Sequence, residues 1–459
     1  MKNEFDTEGL RQSSLAHNWM HSRDWLQMAE EGDPIIIVDG KGLDVIDSDG
    51  NTWMDVNGGY LNVNVGYGRH EIADAALEQM LNITFTPKYT TTPPVTELSE
   101  KLAMITPGNL ERSWLVTGGS EANETAIKLA RSYHKRRGDA GRYKIISRKG
   151  SYHGAMGITT WLGGDGGMSD FEPAPPGILH VPQPNPYRCE LGGENPSEIA
   201  VKCAQAIEDL IIFHGPETIA AVIAEPVCSD RPFDAVSVPG PEYWPMIRQI
   251  CDKYGVILIA DEIVTGFGRT GKMFGVDHWG VVPDIMSVAK GMVSSYLPIG
   301  AAIVGSHVSD VFAGSENIFP MSLTFGGHPV AAAAALANLK IIEEENLVAN
   351  SSKMGKYLLE QLHSLEPDHP IIGNVRGLGL LTCVEIVQNR RTKARFPSSL
   401  NMPDRLATKF RQHNLILRPK GAIVIAPPLC VRQDEIDRIV NVLDVVFGEL
   451  ENEIPIEIE

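Results

Sequence analysis

The chain has 459 residues, 43% of them hydrophobic and 21% charged, with a formal net charge of −18. This is a globular composition with material for about three units of ordinary domain size, and it lacks the basic face that a nucleic-acid backbone requires. No apolar run approaches the ~20 residues needed to cross a bilayer, and the polar, acidic start does not resemble a targeting peptide, so neither nucleic acid nor membrane is expected as a partner.

In chain order, residues 11–30 carry a mixed apolar pattern with Trp19, Trp25 and Met28 and read as a helix or docking arm. Apolar runs at 34–38, 43–46 and 53–56 are separated by Asp39-Gly40 and Asp49-Gly50. Asx-Gly pairs between short apolar runs signal hairpins, so this stretch reads as a β-meander. From His70 the rhythm changes. Helices are expected at 70–81, 94–105, 120–136, 196–214 and 242–254, with strands at 112–116, 143–147, 218–224, 256–260, 285–288 and 299–304. Continuous apolar strands between amphipathic helices indicate an α/β domain with a mostly parallel sheet covered on both faces. After His328-Pro329 an Ala-rich helix at 330–343 leads into helix 351–365, strand 378–386, helix 402–413, strands near Leu415 and Ile423, and a last helix at 433–450. The pattern divides into an N-terminal arm and meander (1–69, part of a small domain), a large α/β domain (70–329) and a C-terminal α+β small domain (330–459). None of the six cysteines sits in a C-x-x-C pair or at metal-ligand spacing with histidine. No metal site is expected, and buried reduced thiols point to a reducing compartment, the cytoplasm.

Three motifs carry chemistry. Thr117-Gly118-Gly119-Ser120-Glu121-Ala122-Asn123-Glu124 joins a strand to a helix. Small residues let a ligand approach the backbone, and a helix N-terminus offers free N–H groups to phosphate. The same residues would also serve as plain capping, with Ser120 as N-cap. Next, the apolar run 256–260 ends in Asp261-Glu262. Carboxylates at strand ends lie where open α/β sheets bind ligands, or they cap a neighbouring loop. Finally, Ile285-Met286-Ser287-Val288-Ala289-Lys290-Gly291 ends a strand in a lysine. Partial desolvation there would make its amine nucleophilic; a strand-end lysine reaching for water is the plainer alternative. Gly266-Phe267-Gly268-Arg269-Thr270-Gly271 matches G-x-G-x-x-G, but it neither follows the strand directly nor opens a helix, so it is not a dinucleotide fingerprint. A lysine, a strand-end carboxylate and a phosphate cup together are what pyridoxal 5′-phosphate (PLP) needs.

Asp261-Glu262-Ile263-Val264-Thr265-Gly266-Phe267-Gly268-Arg269-Thr270-Gly271, followed by Pro283-Asp284-Ile285 and Ala289-Lys290-Gly291, resembles the class III aminotransferases, which include the ω-amino acid and amine:pyruvate transaminases. Agreement runs from about residue 19 to 445. It takes in Asn62-Val63-Asn64-Val65-Gly66-Tyr67-Gly68, Ser151-Tyr152-His153-Gly154, Ala224-Glu225-Pro226 and Phe325-Gly326-Gly327-His328-Pro329. The resemblance implies a fold-type-I PLP transferase working as a homodimer with shared active sites, passing an amino group from an amine donor to a keto acid such as pyruvate. It implies that Lys290 holds the cofactor and shuttles a proton, and that Asp261 pairs with the pyridinium nitrogen. Ile263 and Tyr152 would cover the ring faces, while Gly119 and Ser120 would bind the phosphate. Thr324 would reach the phosphate of the neighbouring subunit, and Glu225 would sit near the cofactor, able to pair with an arginine. Arg418 would be a mobile clamp for substrate carboxylates, its planar fork suiting that group; an ordinary surface arginine is the plainer alternative.

Two departures from the family pattern border the expected substrate pocket. A Gln-Gly-x-Gly-Gly stretch often follows Glu-Pro in the family; here the chain reads Val227-Cys228-Ser229-Asp230-Arg231-Pro232-Phe233-Asp234. Where many relatives carry a tryptophan near Asn62, this chain has Tyr60-Leu61. Arg231 is a candidate second anionic contact for some donors, or a loop arginine paired with Asp230 or Asp234.

Overall fold

The computed structural model describes residues 5–164, 166–228 and 235–454. Ile37–Lys41 (β1), Asp44–Asp47 (β2) and Thr52–Asp55 (β3) form the meander. Its first strand starts and ends later than the apolar run predicted: Asp39 and Gly40 are paired within β1, and the turn falls at Gly42, with φ +62. The left-handed position, not the first Asx-Gly pair, sets the hairpin. The predicted helix at 11–30 is instead two, Thr7–His17 and Trp25–Glu31, the second capped by the Asp24 carboxylate on the N–H groups of Leu26 and Gln27.

Seven strands make the central sheet: Leu110–Val116 (β4), Lys144–Arg148 (β5), Ile178–Val181 (β6), Ile219–Ala224 (β7), Ile257–Asp261 (β8), Ile285–Val288 (β9) and Gly300–Gly305 (β10). Their order is β4-β10-β9-β8-β7-β5-β6. Pairs among β6, β5, β7, β8 and β9 are parallel, and β10 runs antiparallel to both β9 and β4. β7, β8 and β9 are buried along their whole length, as their unbroken apolar sequences require of a doubly covered sheet. β6 was not expected: Ile178-Leu179-His180-Val181 is short and follows a Pro- and Gly-rich stretch. Helices Gly119–Arg136, Pro196–His214 and Tyr243–Tyr254 bury apolar stripes of Ala126, Ala130, Ile199, Ile207, Ile247 and Ile250.

After helices Pro329–Glu344 and Leu347–Ser364, the predicted single strand at 378–386 resolves into a hairpin, Ile372–Leu378 (β11) and Leu381–Ile386 (β12), with Ala422–Ile425 (β14) beside β12. Leu415–Ile416 (β13) returns to pair in parallel with β3. No helix among the described residues is long and apolar enough to cross a membrane.

Candidate active site

The C-terminal ends of parallel strands converge on one cleft, with about 550 Å³ of empty space that includes its open mouth. Gly119, Ser120, Tyr152, Glu225, Asp261, Ile263 and Lys290 all line it, together with His153, Gly154, Val227, Val264 and Thr265. Residues spread across more than 170 positions of sequence meet here because β5, β7, β8 and β9 are neighbours and each ends at the same edge. Ligands bind at that edge in open α/β sheets.

Asp261, the last residue of β8, is 3% exposed. Its Oδ2 accepts a hydrogen bond from Asn123 Nδ2 at 2.7 Å and lies 2.7 Å from His153 Nδ1; its Oδ1 accepts from the Ile263 N–H at 3.1 Å. Asn123 is itself tied to the His153 carbonyl at 2.8 Å. Because a carboxylate only accepts, His153 carries its proton on Nδ1 toward Asp261. With Oδ2 taken by two side chains, Oδ1 is the oxygen left for a further donor. Glu262, the next residue, does different work. Its carboxylate accepts from the Gly275 and Val276 N–H groups, both at 2.8 Å, and from the Thr265 hydroxyl. Burial pushes its carboxyl up to about 7, against those three donors. The loop-capping reading therefore holds for Glu262, whereas Asp261 lines the cleft.

Lys290 opens a short turn after β9 with φ +38, a left-handed value uncommon for a residue with a side chain. Its surroundings over-determine this geometry. A Cβ on Gly291 would meet Asn64 Nδ2 at 2.3 Å. Asn64 in turn donates to the Phe267 carbonyl at 3.1 Å and accepts from Arg269 Nη2 at 3.0 Å. Asn338 Nδ2 holds the carbonyls of Gly291 and Met292, each at 2.9 Å. Residues 62–68, 266–271 and 289–291, read separately in the sequence, are thus one interlocked support beneath the lysine. The glycine-rich 266–271 stretch forms turns against Val348, Ser352 and Gly379 and opens no long helix, in keeping with its rejection as a dinucleotide site.

Helix Gly119–Arg136 presents its N-terminus to the same cleft. The N-cap is Gly118, without a side-chain bond, so Ser120 is not the N-cap that the capping alternative required. Ser120 Oγ accepts instead from the Ala155 N–H at 3.1 Å. A Cβ on Gly119 would press on Ile263 Cδ1 at 2.9 Å, so the glycine admits both Ile263 and a ligand close to the backbone. Glu225 is buried, and Arg148 Nη2 reaches both its carbonyl at 2.7 Å and its Oε2 at 3.3 Å.

Tyr60, Leu61, Arg418 and Thr324 do not line this cleft. Leu61 is buried with Val227 and packs with Val264, behind the cleft wall. Tyr60 is 56% exposed, and the Arg418 guanidinium lies 3.9 Å from its ring centroid. Thr324 is exposed in a turn. Arg231, with its possible partners Asp230 and Asp234, lies outside the described residues. Sequence reasoning missed Asn123, His153 and Arg148 as supports of the site. Asn123 and His153 stand inside motifs already singled out, and a polar residue on the buried face of an otherwise apolar helix was a usable signal for Asn123.

The profile of the aminotransferase class-III family matches residues 27–447. The chain belongs to the class III aminotransferases. Putrescine–pyruvate aminotransferase of Pseudomonas aeruginosa is 36% identical over 438 residues, 93% of each chain. Taurine–pyruvate aminotransferase of Bilophila wadsworthia is 37% identical, over 94% of this chain and 95% of its own. Among solved structures, an (S)-enantioselective ω-transaminase from Thermomicrobium roseum superposes with a TM-score of 0.93 at 38% identity, covering 97% of this chain and 99% of the other. The ω-transaminase of Pseudomonas jessenii, solved in complex with PMP, gives 0.92 at 34% identity, over 97% and 98%. This class III enzyme is a fold-type-I, PLP-dependent transferase. The cleft fits the cofactor on its own terms: a buried, oriented carboxylate with one oxygen to spare, a helix N-terminus that a Cβ would crowd, and a lysine held in a strained turn.

Proposed function

We propose that this enzyme transfers an amino group from an ω-amino acid or primary amine to a keto acid such as pyruvate, in two half-reactions that use one cleft in turn. One observation carries the reading: Lys290, Asp261 and the Gly119–Ser120 helix start line the same cavity. When bound, PLP supplies an electron sink for the carbon that loses its proton. The chain's own residues do the rest. Lys290 Nζ would hold the cofactor and would then be the group that takes up and returns the substrate's proton. Asp261 Oδ1 holds a proton on the ring nitrogen, kept in place by Asn123 and His153. Gly119 and Ser120 receive the phosphate at the helix start, where partial positive charge favours an anion. Ile263 and Tyr152 confine the ring, and Glu225 and Arg148 form the buried wall beside it. Arg418 swings from Tyr60 to grip a substrate carboxylate, while Tyr60 and Leu61 shape the pocket mouth; Arg231 is proposed as a second anionic contact.

The active form is read as a cytoplasmic homodimer, with Thr324 reaching the partner's phosphate site. In support, Phe85 and Phe325 stack edge to face at 6.4 Å, 50% and 57% exposed, and Leu81, Ile83 and Tyr89 continue an apolar surface of the kind that marks an interface. The chain is further read as a large domain over 70–329 and a small one built from both chain ends, which the β3–β13 pairing favours.

The test is a donor panel. Addition of an amine without acceptor should convert the cofactor spectrum to that of the aminated form, and later pyruvate should yield one alanine per cofactor. Release of carbon dioxide, or racemised donor without amino transfer, would replace transamination with another PLP reaction.

A further inference from the structure

Helix Pro196–His214 carries Cys203 on its buried face, and the turn that precedes it carries Cys189, which is half-buried. Their Sγ atoms lie 3.5 Å apart. A disulfide needs about 2.05 Å between sulfurs. Cys203 is fixed by its helix, so closing the gap falls to Cys189, which lies outside helix and strand after β6. The two thiols are not equivalent. Burial pushes the Cys203 thiol up, although the Arg148 guanidinium opposes this. Cys189 is the less buried of the two, so it is the thiol an oxidant meets first, and Cys203 stands within reach of it.

We propose that Cys189 and Cys203 form a redox-modification site, which a hydroperoxide converts to a reversible disulfide. The Cys189 thiolate attacks one peroxide oxygen, the O–O bond breaks, and a sulfenic acid and hydroxide form. The sulfur of Cys203 then attacks the Cys189 sulfur. The S–O bond breaks, and the departing hydroxide leaves as water with the proton that Cys203 gives up. The two thiols lose two electrons, and the peroxide is reduced by the same two. The modified turn also holds the segment entering the cleft: Glu190 pairs with Lys149 Nζ at 2.8 Å, and Gln183 Nε2 bonds the Lys149 carbonyl at 3.2 Å, three residues before Tyr152. Neither cysteine takes part in the transamination proposed above, so this site stands or falls separately.

The experiment treats the holoenzyme with graded hydrogen peroxide, blocks free thiols, digests without reductant and maps the peptides. The expected product is a cross-linked pair joining Cys189 to Cys203, with loss of two titratable thiols that dithiothreitol restores. In Cys203→Ser, Cys189 should accumulate as a sulfenic acid trapped by dimedone. Met104 and Met156, 75% and 51% exposed, report that oxidant was present. If those methionines oxidise while both thiols remain, or Cys189 runs on to sulfinic acid without a cross-link in the wild type, the site does not exist. The wild-type map alone decides this, even if a serine variant fails to fold.

Discussion

The floor of the cleft and its rim are built by different rules. On the floor, Asp261, His153, Asn123, Glu225 and Arg148 are all buried, and each is held by hydrogen bonds from neighbouring strands or helices. Tyr60 and Arg418, proposed as the rim although neither lines the cleft, contrast with it: Tyr60 is exposed and Arg418 rests on its ring. A cation over an exposed ring contributes about 0.5–1 kcal/mol, whereas removing one partner from a buried charge network costs several times more. The floor fixes one geometry for one cofactor. The rim gives a charged side chain only a weak hold. Chemistry common to a family can live on such a floor, and substrate choice on such a rim.

The largest expected effects come from the floor. Lys290→Ala should reduce turnover by more than about 10⁴-fold, since on the proposed mechanism it removes both the covalent anchor and the proton carrier; circular dichroism should report an unchanged fold. Asp261→Asn should lower kcat by on the order of 10²–10³-fold. The reason is geometric. The amide oxygen will occupy the Oδ2 position, where Asn123 and His153 donate, which places its NH₂ group where the ring proton and the Ile263 N–H also point. Stopped-flow half-reactions would measure the loss, and a rate within threefold of wild type would break the account of the floor.

Glu262 sharpens the comparison, because it is the same kind of residue one position later with no place in the chemistry. Glu262→Gln leaves the amide NH₂ facing a backbone N–H, and an unsatisfied buried donor costs about 1–3 kcal/mol. The melting temperature should fall while kcat in folded enzyme stays within about threefold. The wild-type carboxyl is raised to about 7 in the fold from the usual 4.5. Between those values the folded state therefore binds the extra proton, and the contribution of Glu262 to stability declines as pH rises through the window. The stability gap between wild type and Glu262→Gln should accordingly be widest near pH 4.5 and narrow toward pH 7, as calorimetry over that range would show.

Much of this was legible in the sequence, for identifiable reasons. Lys290, Asp261, Gly119 and Ser120 sit at ends of apolar strands or the start of a long helix, where local pattern and site coincide. Elements failed where tertiary context outweighed pattern. β6 is a four-residue strand with no alternation, and β11 contains Gly373 and Gly377, which hid it from a reading based on apolar runs. The antiparallel course of β10 has no local signal, since a buried strand looks the same in either direction. The alternative roles of Asp261 and Glu262 could not be separated in sequence either. Only the positions of Asn123, His153, Gly275 and Val276 distinguish a carboxylate that faces the cleft from one that caps a loop.

The rim should yield the smallest and most selective effect. On the role proposed for it, Arg418→Ala would remove a charge-assisted bond to carboxylate of about 1.5–3 kcal/mol, so kcat/KM for pyruvate should fall roughly 10–100-fold. A primary amine without a carboxylate makes no such bond, and its half-reaction should change less than about threefold. Tyr60→Leu removes only the resting contact of about 0.5–1 kcal/mol. The arginine then leaves its parked position more readily, so kcat/KM for keto acids should hold or rise by up to about fivefold, while amines that need the arginine displaced toward Tyr60 should lose a similar factor. Steady-state kinetics with one keto acid and two amines separates the cases. An equal loss for both substrate types in Arg418→Ala would make that arginine a structural part of the floor, and the division between floor and rim would have to be redrawn through residue 418.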